Sequence, residues 1–259
     1  MRVVVKVGTS TLAHSTGLLN IRHVEKLCKV LSDIKNSGIE LAMVSSGAIG
    51  VGQGKLSLKE RPSDLPTTQA AAAVGQCELM YTYDKMFGAY NHTVAQVLVT
   101  ASDIDEESRR NNFINTMVRL MQLGALPIIN ENDTVATDEI VIGDNDTLGA
   151  VVAKAIGADL LIILSDVEGL YDDNPNRNPD AKLLHVVEEI TQKHYDAAEG
   201  SVSKLGTGGM VTKLKAAEMA TAHGCDMIIA NGRNPEILYD ILEGKQVGTK
   251  FLARSKTHQ

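Results

Sequence analysis

Four short clusters combine cationic, hydroxyl, amide and carboxylate side chains with glycines, each directly after an apolar run. In VVVKVGTS, Lys6 interrupts a run that otherwise reads as a buried strand, and Gly8, Thr9 and Ser10 follow. An ammonium in a covered strand is costly unless a partner or ligand meets it, although a lysine snorkelling from a strand end also fits. In LAMVSSGAIGVGQG, Ser45, Ser46, Gly47, Gly50 and Gly52 turn a strand toward a helix and expose backbone amides suited to an anion. Their spacing matches neither the dinucleotide fingerprint nor the Walker A pattern, and a plain tight turn accounts for it equally well.

The third cluster is double. ALPIINENDTVA runs from an apolar strand into Asn130, Glu131, Asn132 and Asp133, and VIGDNDTLGA follows with Asp144, Asn145 and Asp146 opening a helix. Amides and carboxylates together can hold the ammonium and carboxylate of a zwitterionic amino acid. Taken singly, Asn145 or Asp146 also reads as a cap for the helix at Thr147. The fourth set joins Ser165 and Asp166, at the end of LIILSD, to LGTGGMVTK, a glycine-rich turn over Gly206 to Gly209 that leads into a helix bearing Lys213. Glycine lets amides approach phosphates, the helix N-terminus is positive, and Lys213 adds a full charge. An ordinary glycine-rich loop before a helix remains the alternative.

The elements that must position these clusters follow from periodicity. Short apolar runs at 2–7, 39–44, 93–99, 125–129, 159–164 and 226–230 alternate with amphipathic stretches at 21–35, 67–90, 146–156, 211–223 and 235–242. This is the rhythm of a mostly parallel sheet covered by helices on both faces, an α/β class. Asn20 caps the first helix, Gly38 ends it in a left-handed turn, and Asn234 with Pro235 opens the last. Residues 55–67 and 171–182 read as long irregular stretches, the latter rich in Pro and Asn. In open sheets of this kind ligands bind at the carboxyl ends of the strands, where all four clusters fall.

Composition bounds the function. The chain has 259 residues, a formal net charge of −7 and 3% aromatic residues. It shows no basic run interleaved with aromatics, which argues against nucleic acid and anionic membranes as partners. No signal peptide or long apolar span is evident, so a cytoplasmic protein is expected. Cys28, Cys77 and Cys225 are odd in number and far apart, and read as reduced core thiols. No linker or repeat divides the chain, which reads as one domain over 1–259.

The segments VKVGTS, VSSGAI, AAVGQ, INENDTVA, GDND, LSDVEGLY and GTGGMVTK, in this order over nearly the whole chain, resemble the amino acid kinase family, and within it the members that phosphorylate glutamate. The resemblance implies an open three-layer αβα sandwich, an N-lobe of about 1–148 for the amino acid and a C-lobe of about 149–259 for ATP. It implies that Lys6 and Lys213 contact the transferring phosphoryl group and that Asp146 orients them. Ser46, Asp133 and Asn145, with Asp144 beside them, match glutamate-binding positions. Lys6, Ser165, Asp166, Thr207, Gly208, Gly209, Met210, Val211, Thr212 and Lys213 match ATP-binding positions. ATP with Mg²⁺, feedback by proline, transfer of product to glutamate-5-semialdehyde dehydrogenase and a homo-oligomer are further implications; protein ligands of the metal are not readable. The family often has Thr where Ser165 stands, which keeps the hydroxyl. Many members carry a C-terminal RNA-binding-like PUA domain, which is not expected in 259 residues. Rival readings are family members acting on aspartate, acetylglutamate, carbamate or UMP, and a non-catalytic sensor; turnover of ATP on addition of glutamate separates them.

Overall fold

Strands six residues long, apolar at nearly every position, build the centre of the computed structural model, which describes residues 1–14, 16–135, 144–175, 177–198 and 209–254. The first part of the chain contributes β1 (Arg2–Val7), α1 (Thr9–Leu12), α2 (Ile21–Asn36), β2 (Glu40–Ser45), α3 (Ala48–Lys55), α4 (Leu65–Gly88), β3 (Val94–Val99), α5 (Ala101–Asp105), α6 (Glu107–Gln122) and β4 (Leu126–Glu131). The second contributes α7 (Asn145–Ile156), β5 (Leu160–Ser165), β6 (Val186–Val187), α8 (Gln192–Ala198), α9 (Met210–Ala222), β7 (Asp226–Asn231), α10 (Ile237–Leu242) and β8 (Thr249–Phe251).

The strands form one sheet in the order β3-β4-β2-β1-β5-β7-β8-β6, parallel except where β7 meets β8. Strand alternation sends Val3, Val5 and Val7 into the core shared with α2, α4 and α10. It sends Val4 to the opposite core, shared with α6, α7 and α9. The result is the expected αβα sandwich, and the same alternation places Lys6 on the face covered by α7 and α9. β1 is paired with β2 on one side and β5 on the other. The chain order therefore reverses around β1, and this is where an open parallel sheet leaves its crevice.

Punctuation follows the sequence at α2: Asn20 accepts from the backbone N–H of His23, and Gly38 takes φ +93° beyond the helix end. At the last helix it shifts. α10 starts at Ile237, and Asn234 instead accepts from the Glu236 N–H in a turn ahead of it. The irregular stretch before α4 is shorter than expected, because α3 runs to Lys55 and Asp64 caps α4 at Leu65. Residues 101–122, which periodicity leaves unassigned, form α5 and α6. In α6 only Phe113, Met117 and Met121 are buried, a single-file stripe too narrow to stand out among its polar residues. The stretch 171–182 is turn-rich, and its base is closed by Asp172 N–H donating to the Lys182 carbonyl at 2.9 Å. Cys28 and Cys225 are buried, but Cys77 is exposed, a departure from the core reading caused by its place on the outer face of α4.

The glycines after Ser46 have a packing role that their spacing alone did not indicate. α3 lies backbone to backbone against α4: a β-carbon on Gly52 would collide with the Ala71 carbonyl oxygen, and one on Gly75 with that of Ala48. Gly75→Ala is therefore expected to destabilise the fold by about 1–3 kcal/mol, the range for overpacking a tight core. Gly88→Ala, in the same helix with open space around it, should be neutral or stabilising. Thermal denaturation of both checks this; equal melting temperatures would mean that the helices have room to part.

Candidate active site

The carboxyl ends of β1, β2, β4 and β5 bring the predicted clusters to one edge of the sheet. At its centre Lys6, near the end of β1, meets Asp146, the second residue of α7. Its Nζ lies 2.7 Å from Asp146 Oδ1. Lys213, in the first turn of α9, donates to Asp146 Oδ2 at 2.9 Å. Lys6, Asp146 and Lys213 are 8%, 1% and 5% exposed. α7 comes this close to β1 because Gly149, one turn after Asp146, lies over the Lys6 stem: a β-carbon there would sit 3.6 Å from Lys6 Cβ and 3.3 Å from Leu161 Cδ1.

The electrostatics are defined by that count of charges. Burial alone would push the Asp146 carboxyl up, but Lys6 and Lys213 outweigh it and hold the group below the usual carboxylate range. Two ammoniums against one carboxylate leave a buried net charge of +1, and each ammonium keeps further N–H donors beyond the one aimed at Asp146. The three groups form a site for an anion whose charge exceeds what either lysine alone would meet.

Asp144 is the residue that caps α7. Its Oδ1 accepts from the backbone N–H groups of Asp146 and Thr147, at 2.6 and 2.9 Å. Asp146 and Asn145, which also read as candidate caps, are thereby left for other partners. Asn145 Nδ2 donates to Ser46 Oγ at 2.8 Å and to Asn130 Oδ1 at 3.0 Å. Ser46 is fixed in turn by its N–H, which donates to the Val7 carbonyl at 3.1 Å across the β1–β2 junction. Asn145 Oδ1 is buried and has no hydrogen-bond partner among the described residues. Asp133 follows β4, half-buried, and burial together with the nearby Glu131 carboxylate pushes its pKa up to about 6. Ser46, Asn130, Asp133 and Asn145 thus line the end of β2, β4 and α7 with acceptors.

On the other side of β1, Ser165 ends β5 and its hydroxyl donates to Asp166 Oδ1 at 3.2 Å. Gly209 precedes α9, whose first turn carries Met210, Val211, Thr212 and Lys213. Thr212 Oγ1 donates to the Gly209 carbonyl at 2.8 Å and lies 3.4 Å from Asp146 Oδ2. The first-turn N–H groups and positive end of this 13-residue helix suit a phosphate. Thr207 and Gly208 lie outside the described residues, as do 136–143. Among the described residues no three His, Cys, Asp or Glu side chains gather as a metal cluster, and none of the helices is long and apolar enough to cross a membrane.

Two participants in this edge were not singled out as site residues from sequence. Both sit inside quoted segments, Asn130 in INENDTVA and Gln76 at the end of AAVGQ, but Gln76 lies mid-helix in α4 and reaches Asn130 only through tertiary packing, accepting from its Nδ2 at 3.0 Å. A sequence signal did exist: Gln76 falls four residues after Ala72 and three before Leu79, on the face of α4 that the core buries.

Known proteins are similar to this chain in sequence or in fold. The chain is 53% identical over 257 residues to the glutamate 5-kinase of Clostridium perfringens, covering 98% of this chain and 96% of that one. It is 49% identical over 259 residues to the glutamate 5-kinase of Listeria monocytogenes serovar 1/2a, covering 98% and 94%. Solved structures with the same fold include a carbamate kinase from Giardia lamblia bound to AMP-PNP, at TM-score 0.69, 20% identity and 98% coverage of both chains. Another is a UMP kinase from Ureaplasma parvum, at TM-score 0.67, 16% identity and 97% and 98% coverage. The sequence model of the amino acid kinase family matches residues 1–231, which hold every element of the paired-lysine edge, and the chain belongs to that family.

Proposed function

We propose that the chain transfers the γ-phosphoryl group of ATP to the side-chain carboxylate of L-glutamate, giving glutamate 5-phosphate and ADP, the first step of proline biosynthesis. The substrate reading is supported by kinship with glutamate 5-kinases over nearly the full chain. The chemistry rests on one observation, Asp146 bridging Lys6 and Lys213 at the switch point of the sheet.

Glutamate's γ-carboxyl has a reference pKa of about 4.3, so at pH 7 the nucleophile is already ionised and needs no general base. The obstacle is charge. Like unit charges about 4 Å apart repel by about 1 kcal/mol in water and about 4 kcal/mol at an effective dielectric of 20. A carboxylate oxygen forms the new bond to the γ-phosphorus while the bond to the β–γ bridging oxygen breaks, and ADP leaves with that electron pair. Lys6, from β1, and Lys213, from α9, flank this transfer and stabilise the charge that spreads over the phosphoryl oxygens. Asp146 acts as the organiser of both ammoniums and not as a base. Mg²⁺ is expected to accompany ATP as a phosphate-held ion that neutralises part of its charge; both Asp146 oxygens are committed to lysines.

The amino acid is assigned to the β2, β4 and α7 side, with Asp133 and Asn145 Oδ1 receiving the α-ammonium and Ser46 beside them. Asp144 supports the site as the cap of α7. ATP is assigned to Ser165, Asp166 and the first turn of α9. Proline feedback, homo-oligomerisation and handover of the acyl phosphate to glutamate-5-semialdehyde dehydrogenase are carried by the same kinship; unchanged glutamate turnover in excess proline would remove the first.

Asp133 gives this assignment a pH signature. Its raised value means that the carboxylate is lost as pH falls through about 6, while glutamate's own γ-carboxyl stays ionised to about pH 4.3. KM for glutamate should therefore rise about tenfold between pH 7 and pH 5, with KM for Mg·ATP nearly level. Asp133→Asn should abolish the inflection. A profile that is flat in the parent, or retained in the variant, would place the ammonium elsewhere. The acceptor itself is tested by ADP release with glutamate, aspartate, acetylglutamate and UMP; turnover with one of the last three and none with glutamate would overturn the substrate assignment while leaving the phosphoryl-transfer chemistry.

A further inference from the structure

Gln76 is 9% exposed and sits on the core face of α4, where its neighbours in the helix are alanines, a glycine and leucine. A buried amide in such a place normally has work to do through its hydrogen bonds. Its Oε1 accepts from Asn130 Nδ2 at 3.0 Å. Asn130 is itself 2% exposed, and its Oδ1 accepts from the Glu131 N–H at 2.9 Å and from Asn145 Nδ2 at 3.0 Å. Three amides are thus ordered in series from the start of α7 through β4 to α4: Asn145 donates to Asn130, and Asn130 donates to Gln76.

The orientation at the far end follows from the acceptors along the way. Asn145 Nδ2 faces Ser46 Oγ and Asn130 Oδ1, with the Ser45 carbonyl at 3.5 Å. The opposite orientation would set Asn145 Oδ1 against those oxygens and break the series. As found, Asn145 Oδ1 is buried with no partner among the described residues, a cost that a donor from a ligand would remove. Removing the Gln76 acceptor leaves Asn130 Nδ2 a buried donor with nothing to meet, and Asn130 can then regain a partner only by leaving its present pose. Gln76 is also well fixed. It adjoins Gly75, whose backbone abuts Ala48 in α3, and α3 begins two residues after Ser46.

We propose that Gln76 is a positioning residue for the amino-acid substrate: through Asn130 it holds the Asn145 amide with Oδ1 presented to the substrate's α-ammonium. The inference rests on the glutamate assignment above. It predicts a selective defect, because the series touches the ammonium end of the substrate and leaves the γ-carboxylate and the lysines alone.

Glutarate carries both carboxylates of glutamate and no ammonium, so it serves as the probe. In Gln76→Met, which keeps the length of the side chain and removes the acceptor, KM for glutamate should rise about tenfold, with KM for Mg·ATP changed less than about twofold. The preference for glutamate over glutarate, read as the Ki of glutarate divided by the KM of glutamate, should fall by a similar factor. Gln76→Glu retains an oxygen facing Asn130 Nδ2 and should restore the preference to within about threefold. An unchanged preference in Gln76→Met, or a rise in both KM values together with a lower melting temperature and no change in preference, would overturn the proposal. Should Gln76→Met not fold, Gln76→Ala is read in the same way, and failure of both to fold would make the residue structural and sink the idea. Absence of glutamate turnover in the parent enzyme would instead refute the substrate assignment, so the two failures are distinguishable.

Discussion

Lys213→Ala lowers kcat by about 10² to 10³ with modest change in either KM, and Lys6→Ala does the same. In the proposed mechanism each lysine supplies a preorganised cation where charge spreads during transfer, and loss of one such donor typically costs about that factor. In each variant the buried charge falls from +1 to 0, since one ammonium remains against one carboxylate. The remaining ion pair keeps Asp146 partnered, so the fold should survive. Lys213→Met is a useful companion because its stem fills the space left at a site only 5% exposed. Methionine and alanine variants that are equally slow would assign the loss to charge. Near-normal turnover in a folded variant would remove that lysine from the mechanism.

Asp146→Asn should be the more disruptive change for the protein as a whole. It strips the shared counter-charge from two ammoniums buried on the same face of the sheet. Removing one partner of a buried ion pair typically costs about 3–5 kcal/mol. For a chain of this size that is a drop of roughly 10 °C in melting temperature. Catalysis should fall as well, by about 10², because lysines without their organiser no longer point at a fixed locus.

The pH dependence has a definite sign. The folded-state pKa of Asp146 is depressed, so its contribution to stability is present above the unfolded value of about 3.9 and is lost as pH falls through the lower folded value. The difference in melting temperature between parent and Asp146→Asn should therefore be constant from about pH 5 to 8 and narrow below about pH 4. A difference that widened on acidification would contradict the ion-pair account.

Much of this edge could be read before the structure, for specific reasons. Lys6 was visible because an ammonium inside an apolar parallel strand has few explanations. Asp146 was ambiguous, because a carboxylate at the start of a helix is as often a cap as a catalytic group. The structure separates the two roles by two residues: Asp144 takes the helix N–H groups, which frees Asp146 to face the lysines. The glycines after Ser46 looked like an anion loop, yet Gly52 serves the close approach of α3 to α4. No local pattern distinguishes these uses, since both require a missing side chain. Gln76 illustrates the remaining gap: its partner lies 54 residues away, and only the folded sheet brings them together. The helix α6 was missed for a simpler reason, its buried stripe being one residue wide.

In the proposed mechanism an ionised side-chain carboxylate attacks the γ-phosphorus between Lys6 and Lys213, which makes the product an acyl phosphate. The direct measurement is to incubate the purified protein with Mg·ATP, L-glutamate and hydroxylamine, and to quantify γ-glutamyl hydroxamate against ADP. Hydroxamate formed in step with ADP, and both suppressed about 10² to 10³-fold in Lys213→Ala, is the predicted result. ADP formed with glutamate but without hydroxamate, or hydroxamate at the parental rate in Lys213→Ala, would contradict it.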